Sequence, residues 1–216
     1  SIMKADGTIL ARKFIDFTSD KDRMIHAMNR TRRKQSKYGP KSARGLWAYV
    51  KRLNEDRAKK ISAAIVEFAS QHSVDAIVME HLDFKGCKKR GSKAQRLSMW
   101  NHGIIREKVE QKAHLLGIRI ATICAWKTSA LAFDGSGSVT RDDNNHALAT
   151  FTTGKQYNCD LSASYNIGAR YFIRELLKSL PATEESRVKA KVPDAGRRTS
   201  CTLSTLRALV KELSAA

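Results

Sequence analysis

One stretch limits the folds open to this chain more than any other. In SVDAIVMEHLDF, residues 73–84, Val74, Ala76, Ile77, Val78 and Met79 form a run too apolar for a loop. At that length, between breaker-rich flanks, it reads as a buried strand. A buried strand needs cover on its faces, and the flanking sequence supplies it. Before it, Leu46, Tyr49, Val50, Leu53, Ala58, Ile61, Ala64, Ile65 and Phe68 recur at helical spacing within residues 42–72. After it, residues 97–116 read as a helix closed by Gly117 as a C-cap, and IRIATIC, residues 118–124, reads as a second strand. Strands alternating with helices imply an α/β sheet flanked by helices. The first strand nevertheless ends on Glu80, where a carboxylate ought to be covered.

The remaining chain divides by composition. Residues 1–17 alternate weakly about Asp6-Gly7, a tight-hairpin signal. Residues 18–72 form a basic helical segment, with N-cap candidates at Thr18–Asp20 and a break at Tyr38-Gly39-Pro40. Residues 73–126 hold the two strands and the helix between them. Residues 127–158 are rich in Gly, Ser, Asp and Asn and read as an irregular insert, onto which FTTGKQYN pairs back. CDLSASYNIGARYFIRELLKSL, residues 159–180, is an amphipathic helix with Asp160 at its start. Residues 181–216 read as a linker followed by a short terminal helix. The chain opens on Ser1 within a strand pattern, which suggests a start inside something larger.

Charge narrows the partners. Forty Lys and Arg against 21 Asp and Glu give a formal charge of +19, and a surplus of this size points to a polyanion, nucleic acid before an anionic membrane. No apolar stretch approaches the ~20 residues of a membrane span, and no signal-peptide pattern is present. The cysteines Cys87, Cys124, Cys159 and Cys201 are scattered without a C-x-x-C pair. That spacing argues against a disulfide scaffold and a zinc ribbon and fits a reducing compartment such as the cytoplasm. The candidate phosphate-contacting residues are Arg30, Arg32, Arg33, Lys34, Arg44, Lys51, Arg52, Arg57 and Lys60, interleaved with Trp47 and Tyr49.

Glu80 and Asp160 are the candidate metal ligands. Phosphodiester hydrolysis with two metal ions uses carboxylates converging on a spot about 3.5–4 Å wide, and strand ends and helix starts hold such groups rigidly. The simpler alternatives are an aspartate that caps its helix and a glutamate that marks a strand emerging into solvent.

IVMEHLDFKG resembles the second catalytic motif, and CDLSASYNIGARY the third, of the RuvC-like nuclease domain of TnpB-type transposon proteins and type V CRISPR effectors. WNHGIIREKVEQKAHLLGIRI, AWKTSA and RLNEDRAKKISAAIVEFA are similar to the segments around those motifs. The resemblance spans roughly residues 5–178. It implies an RNase H-like (RuvC) mixed sheet flanked by helices, with a long basic helical insertion and a small degenerate zinc-ribbon-like insert. It also implies Mg²⁺ or Mn²⁺ held by Glu80 and Asp160, with guide RNA and target DNA as partners.

Two departures qualify this. The family's first motif, an Asp-x-Gly on the first strand, is missing, because Asp6-Gly7 fits a hairpin turn better. The first catalytic Asp would then come from the remainder of the same protein or from another chain. The family's two C-x-x-C knuckles are also missing from residues 127–158, so no zinc is expected. That insert would contact target nucleic acid through Arg141, with Trp126 and Phe133 as aromatics that stack on bases or pack in the core. The alternatives are a catalytically inactive RNA-guided nucleic-acid-binding module or repressor, and a piece of an assembly in which another chain completes the sheet.

Overall fold

The computed structural model describes residues 1–82 and 99–215. The polar loop FKGCKKRGSKAQR, with Cys87, and the expected start of the helix at residue 97 lie outside the described residues. The chain divides into two compact units, whose described parts are residues 13–75 with 99–119, and residues 1–12 and 76–82 with 120–215.

The first unit is helical: α1 (Thr18–Tyr38), α2 (Arg44–Gln71) and α3 (His102–Leu115). No side chain caps α1, whose N-cap is Phe17. Asp20 instead reaches to α2, where it accepts from Lys60 Nζ at 2.8 Å. The expected break falls where the sequence puts it, with Pro40–Ala43 forming a single 3₁₀ turn between α1 and α2. The buried face of α2 is narrow. Val50, Asn54, Ala58, Ser62 and Val66 follow one another at every fourth position, with Ala69 beyond. Small side chains on this stripe let a neighbouring helix approach closely, and α1 and α3 both pack on α2. Hydrogen bonds also tie this stripe to its surroundings. Ser62 Oγ donates to Ala58 O at 2.7 Å, and Asn101 Nδ2 donates to Asn54 O at 2.8 Å. Gly117, left-handed at φ +69°, ends α3 by donating to His114 O, as its glycine signal predicts.

The second unit is mixed α/β. A hairpin of β1 (Ile2–Met3) and β2 (Ile9–Ala11) turns at Asp6-Gly7. Gly7 takes φ +82°, and Asp6 Oδ1 accepts from Thr8 N at 2.8 Å. Asp6 is therefore engaged by its own turn, as the hairpin reading requires. β3 (Ala76–His81) pairs with β4 (Arg119–Cys124) in a second sheet. The insert is an antiparallel meander, β5 (Thr140–Arg141), β6 (Leu148–Thr150) and β7 (Gln156–Asn158), with Ala149 opposite both Arg141 and Tyr157.

Three helices complete this unit: α4 (Cys159–Ser179), α5 (Ala182–Lys191) and α6 (Leu203–Ser214). Tyr165, Ala169 and Ile173 of α4, Val188 of α5 and Leu203, Leu206 and Leu209 of α6 share one core.

Two expectations are corrected. Residues 76–80 of β3 are half-buried, not fully covered. Residues 182–191, linker-like in composition, are helical: Glu184 and Glu185 in the first turn and Lys189 and Lys191 in the last complement the helix dipole. Of the two roles open to Phe133, packing is the one the structure shows, with ring centroids 5.0 Å from Tyr157 and 5.3 Å from Tyr165. Among the described residues, no helix is long and apolar enough to cross a membrane.

Candidate active site

Asn158 starts α4 by accepting from Leu161 N at 3.0 Å. It is the N-cap, so the helix does not need Asp160 for capping. Asp160 sits in the first turn, exposed, and its side chain makes no hydrogen bond or ion pair with the described residues. A carboxylate there is favoured by the helix dipole and free to meet a ligand. Behind it, Cys159 is buried, and burial pushes its thiol pKa up, so the sulfur stays protonated. Arg141 donates to Ser129 Oγ at 2.8 Å, and the Cys159 thiol lies 3.5 Å from Ser129 O, so Arg141 stands at this end of α4.

Glu80 is half-buried near the end of β3, and α4 packs on that strand. Its Oε1 accepts from Thr128 Oγ1 at 2.5 Å, and the same hydroxyl lies 3.0 Å from Ala125 O. Thr128 reaches this position because Lys127, at φ +59°, turns the chain in the left-handed region. A non-glycine residue held there stores roughly 1 kcal/mol or more of strain. Asn166 in turn holds Thr128: its Nδ2 donates to Thr128 O at 3.0 Å and Leu131 O at 2.9 Å, while its Oδ1 accepts from Leu203 N at 3.2 Å. Asn166 is fully buried, and the fixing of Glu80 therefore runs through the helix that carries Asp160.

Asn166 belongs to a polar ladder. Ser162, Asn166, Arg170 and Arg174 stand at every fourth residue of α4. Arg174 Nη1 donates to Thr122 O, Arg170 Nη1 to Cys124 O and Trp126 O, and Asn166 to Thr128 O. Four helical residues rise about 6 Å, close to the roughly 6.6 Å spanned by two residues of a strand. Each rung thus meets alternate carbonyls of β4 and the turn after it. Ser162 ends the ladder two residues beyond Asp160, with its Oγ buried and unpartnered among the described residues.

The ladder was the part of the site that motif spacing missed. Its signal was present: polar residues recurring at every fourth position on the buried face of an otherwise apolar helix. Glu80 and Asp160 supply hard oxygen donors suited to Mg²⁺ or Mn²⁺. Among the described residues no group of three or more His, Cys, Asp or Glu side chains is placed to hold a metal ion.

The basic candidates lie apart in kind. Arg30, Arg32, Arg33, Lys34, Arg44, Lys51 and Arg52 are exposed on α1 and α2. Lys51 lies 3.8 Å from Glu55, and Lys60 is paired with Asp20 at 2.8 Å and Asp56 at 3.1 Å. Arg57 is half-buried, with its Nε covered and unpartnered among the described residues. Trp126 is exposed, while its carbonyl receives Arg170.

No protein-family profile matches the chain, and no curated protein matches it. Among solved structures, the Cas12f1–sgRNA–target DNA complex determined by cryo-EM is similar, with a TM-score of 0.50 at 17% sequence identity. The similarity covers 68% of this chain and 42% of the other. At that identity the likeness is one of fold. The chain spans less than half the length of the protein it resembles.

Proposed function

We propose that this chain is the C-terminal nuclease portion of an RNA-guided DNA endonuclease with an RNase H-like core. Glu80 and Asp160 would hold Mg²⁺ or Mn²⁺, and a third aspartate would come from an upstream segment or another chain. The observation that carries this reading is the tie between the two carboxylate-bearing elements: Glu80 is fixed by Thr128, and Thr128 by Asn166 of the helix that presents Asp160. The fold shared with a Cas12f1 complex containing guide RNA and target DNA supports it. Bound metal would neutralise charge building on the phosphoryl oxygens and acidify the attacking water.

The chain's own residues do the rest. Thr128 orients the Glu80 carboxylate, and Asn158, by capping α4, leaves Asp160 open. Arg141 and the free basic residues of α1 and α2 would grip phosphates of the guide–target duplex. A second reading, a binding module that occupies nucleic acid without cutting it, is favoured by the pair of carboxylates having no third partner among the described residues.

The test uses the complete natural polypeptide loaded with its RNA. Glu80→Ala and Asp160→Ala are each expected to lower cleavage of matched DNA by at least about a thousandfold while DNA binding persists. Cleavage that survives both substitutions sinks the metal-ligand assignment. Mg²⁺-independent occupancy by the unaltered protein, with no cleavage, selects the binding module.

A further inference from the structure

A cavity of about 560 Å³ opens in the α/β unit, and neither Glu80 nor Asp160 is among the residues that line it. Its floor is apolar, formed by Ile123, Ile173, Leu177 and Leu180. Its charged lining is one-sided, with Arg170, Arg174, Lys178, Lys189 and Arg198 against the single carboxylate of Glu185. Lys189 pairs with Glu185, and Arg174 is held by Glu175 at 2.8 Å. Arg198 is exposed and makes no hydrogen bond or ion pair with the described residues.

The deepest charge is the most informative. Arg170 is 5% exposed, and its guanidinium donates to four carbonyls: Cys124, Trp126, Thr199 and Cys201. A guanidinium has five N–H donors, so one remains without an acceptor among the described residues. No carboxylate among the described residues hydrogen-bonds to it either. A buried charge hydrogen-bonded only to neutral carbonyls is poorly compensated: burial lowers the Arg170 pKa, and the charge of Glu80 offsets that only in part. A cavity that pairs such a charge with an apolar floor and a free cation at its mouth suits one kind of occupant.

We propose that this cavity binds an organic anion, with its apolar body on Ile123, Ile173 and Leu177 and its acidic head between Arg170 and Arg198. The size matches the 300–1,000 Å³ range typical of small-molecule sites. The site is also coupled by position to the rest of the unit. Arg170 holds the carbonyls of Cys124 and Trp126, directly before the turn that sets Thr128. A ligand drawing on Arg170 would therefore be felt at the loop that orients Glu80.

Two probes with one skeleton test this: 8-anilinonaphthalene-1-sulfonate, which carries a sulfonate, and N-phenyl-1-naphthylamine, which does not. Each is titrated against the full chain by fluorescence. The sulfonate is expected to saturate a single site more than about fivefold tighter than the neutral amine. Arg198→Glu, at an exposed position, should weaken the sulfonate by more than about fivefold and leave the amine unchanged, with an unaltered melting temperature. If that variant does not fold, Lys178→Glu, also on the rim, takes its place with the same expectation. Three results overturn the proposal: no saturable sulfonate binding, a preference over the amine of about fivefold or less, or a charge reversal that leaves sulfonate affinity within about fivefold.

Discussion

Asn166 shows how a single residue fixes a site at a distance. It uses both amide protons on the 128–131 loop and its oxygen on Leu203 N. Replacing it with alanine deletes three bonds and strands two carbonyls and one N–H in the interior. Each buried group left unpaired costs about 1–3 kcal/mol, and repacking softens the sum. Asn166→Ala is therefore expected to lose about 3 kcal/mol in urea unfolding. A loss below about 0.5 kcal/mol would show that water replaces the amide and that Asn166 does not set the loop.

The role of Asn166 was half legible in the sequence. An asparagine inside an amphipathic helix is a weak helix former placed where an apolar residue would pack, so a specific partner is implied. That the partners are carbonyls nearly forty positions upstream is a tertiary fact that spacing cannot supply. The aromatics behaved similarly. Phe133 and Trp126 are equally plausible stackers in sequence, yet the meander folds Phe133 among Phe151, Tyr157 and Tyr165 and leaves Trp126 outside.

At the scale of elements, long periodic segments were readable and short ones were not. The α1–α2 break, the DG hairpin and α4 fall where periodicity and turn residues put them. α5 escaped because Val188 is its one buried residue, too little to mark a helical face. Its support is electrostatic and tertiary. Electrostatics also join α1 to α2 through Lys60.

The Lys60 pKa is raised first by its hydrogen bond to Asp20 and next by that to Asp56. A raised folded-state value means that the charged form is favoured by folding, so its contribution is present at neutral pH. It persists up to the ordinary lysine value of 10.5 and fades as pH climbs through the raised value. The stability gap between the natural chain and Lys60→Met should thus be flat from neutral pH to that point and close above it. Thermal melts across the alkaline range would read this. A gap that widens with pH would mean that Lys60 is not paired in solution.

Across the whole molecule, the dominant fact is a formal charge of +19, and its meaning depends on which cations are free. Lys51 and Lys60 already face carboxylates, so a phosphate that recruits them must displace an existing partner. Arg30, Arg33, Lys34 and Arg44 are exposed and have no partner among the described residues. Each free cation that neutralises a phosphate releases counterions, steepening the fall of log affinity with log salt by about 0.9 on duplex nucleic acid. Replacing those four with alanine should therefore flatten the slope by about 3 to 4, while Lys51→Ala with Lys60→Ala should change it by less than about 1. Titrations of a labelled duplex at several salt concentrations measure both. Equal slopes for the natural chain and the fourfold variant would exclude α1 and α2 from the proposed nucleic-acid interface. Arg141, tied through Ser129 to the start of α4, would then be the first phosphate contact to test.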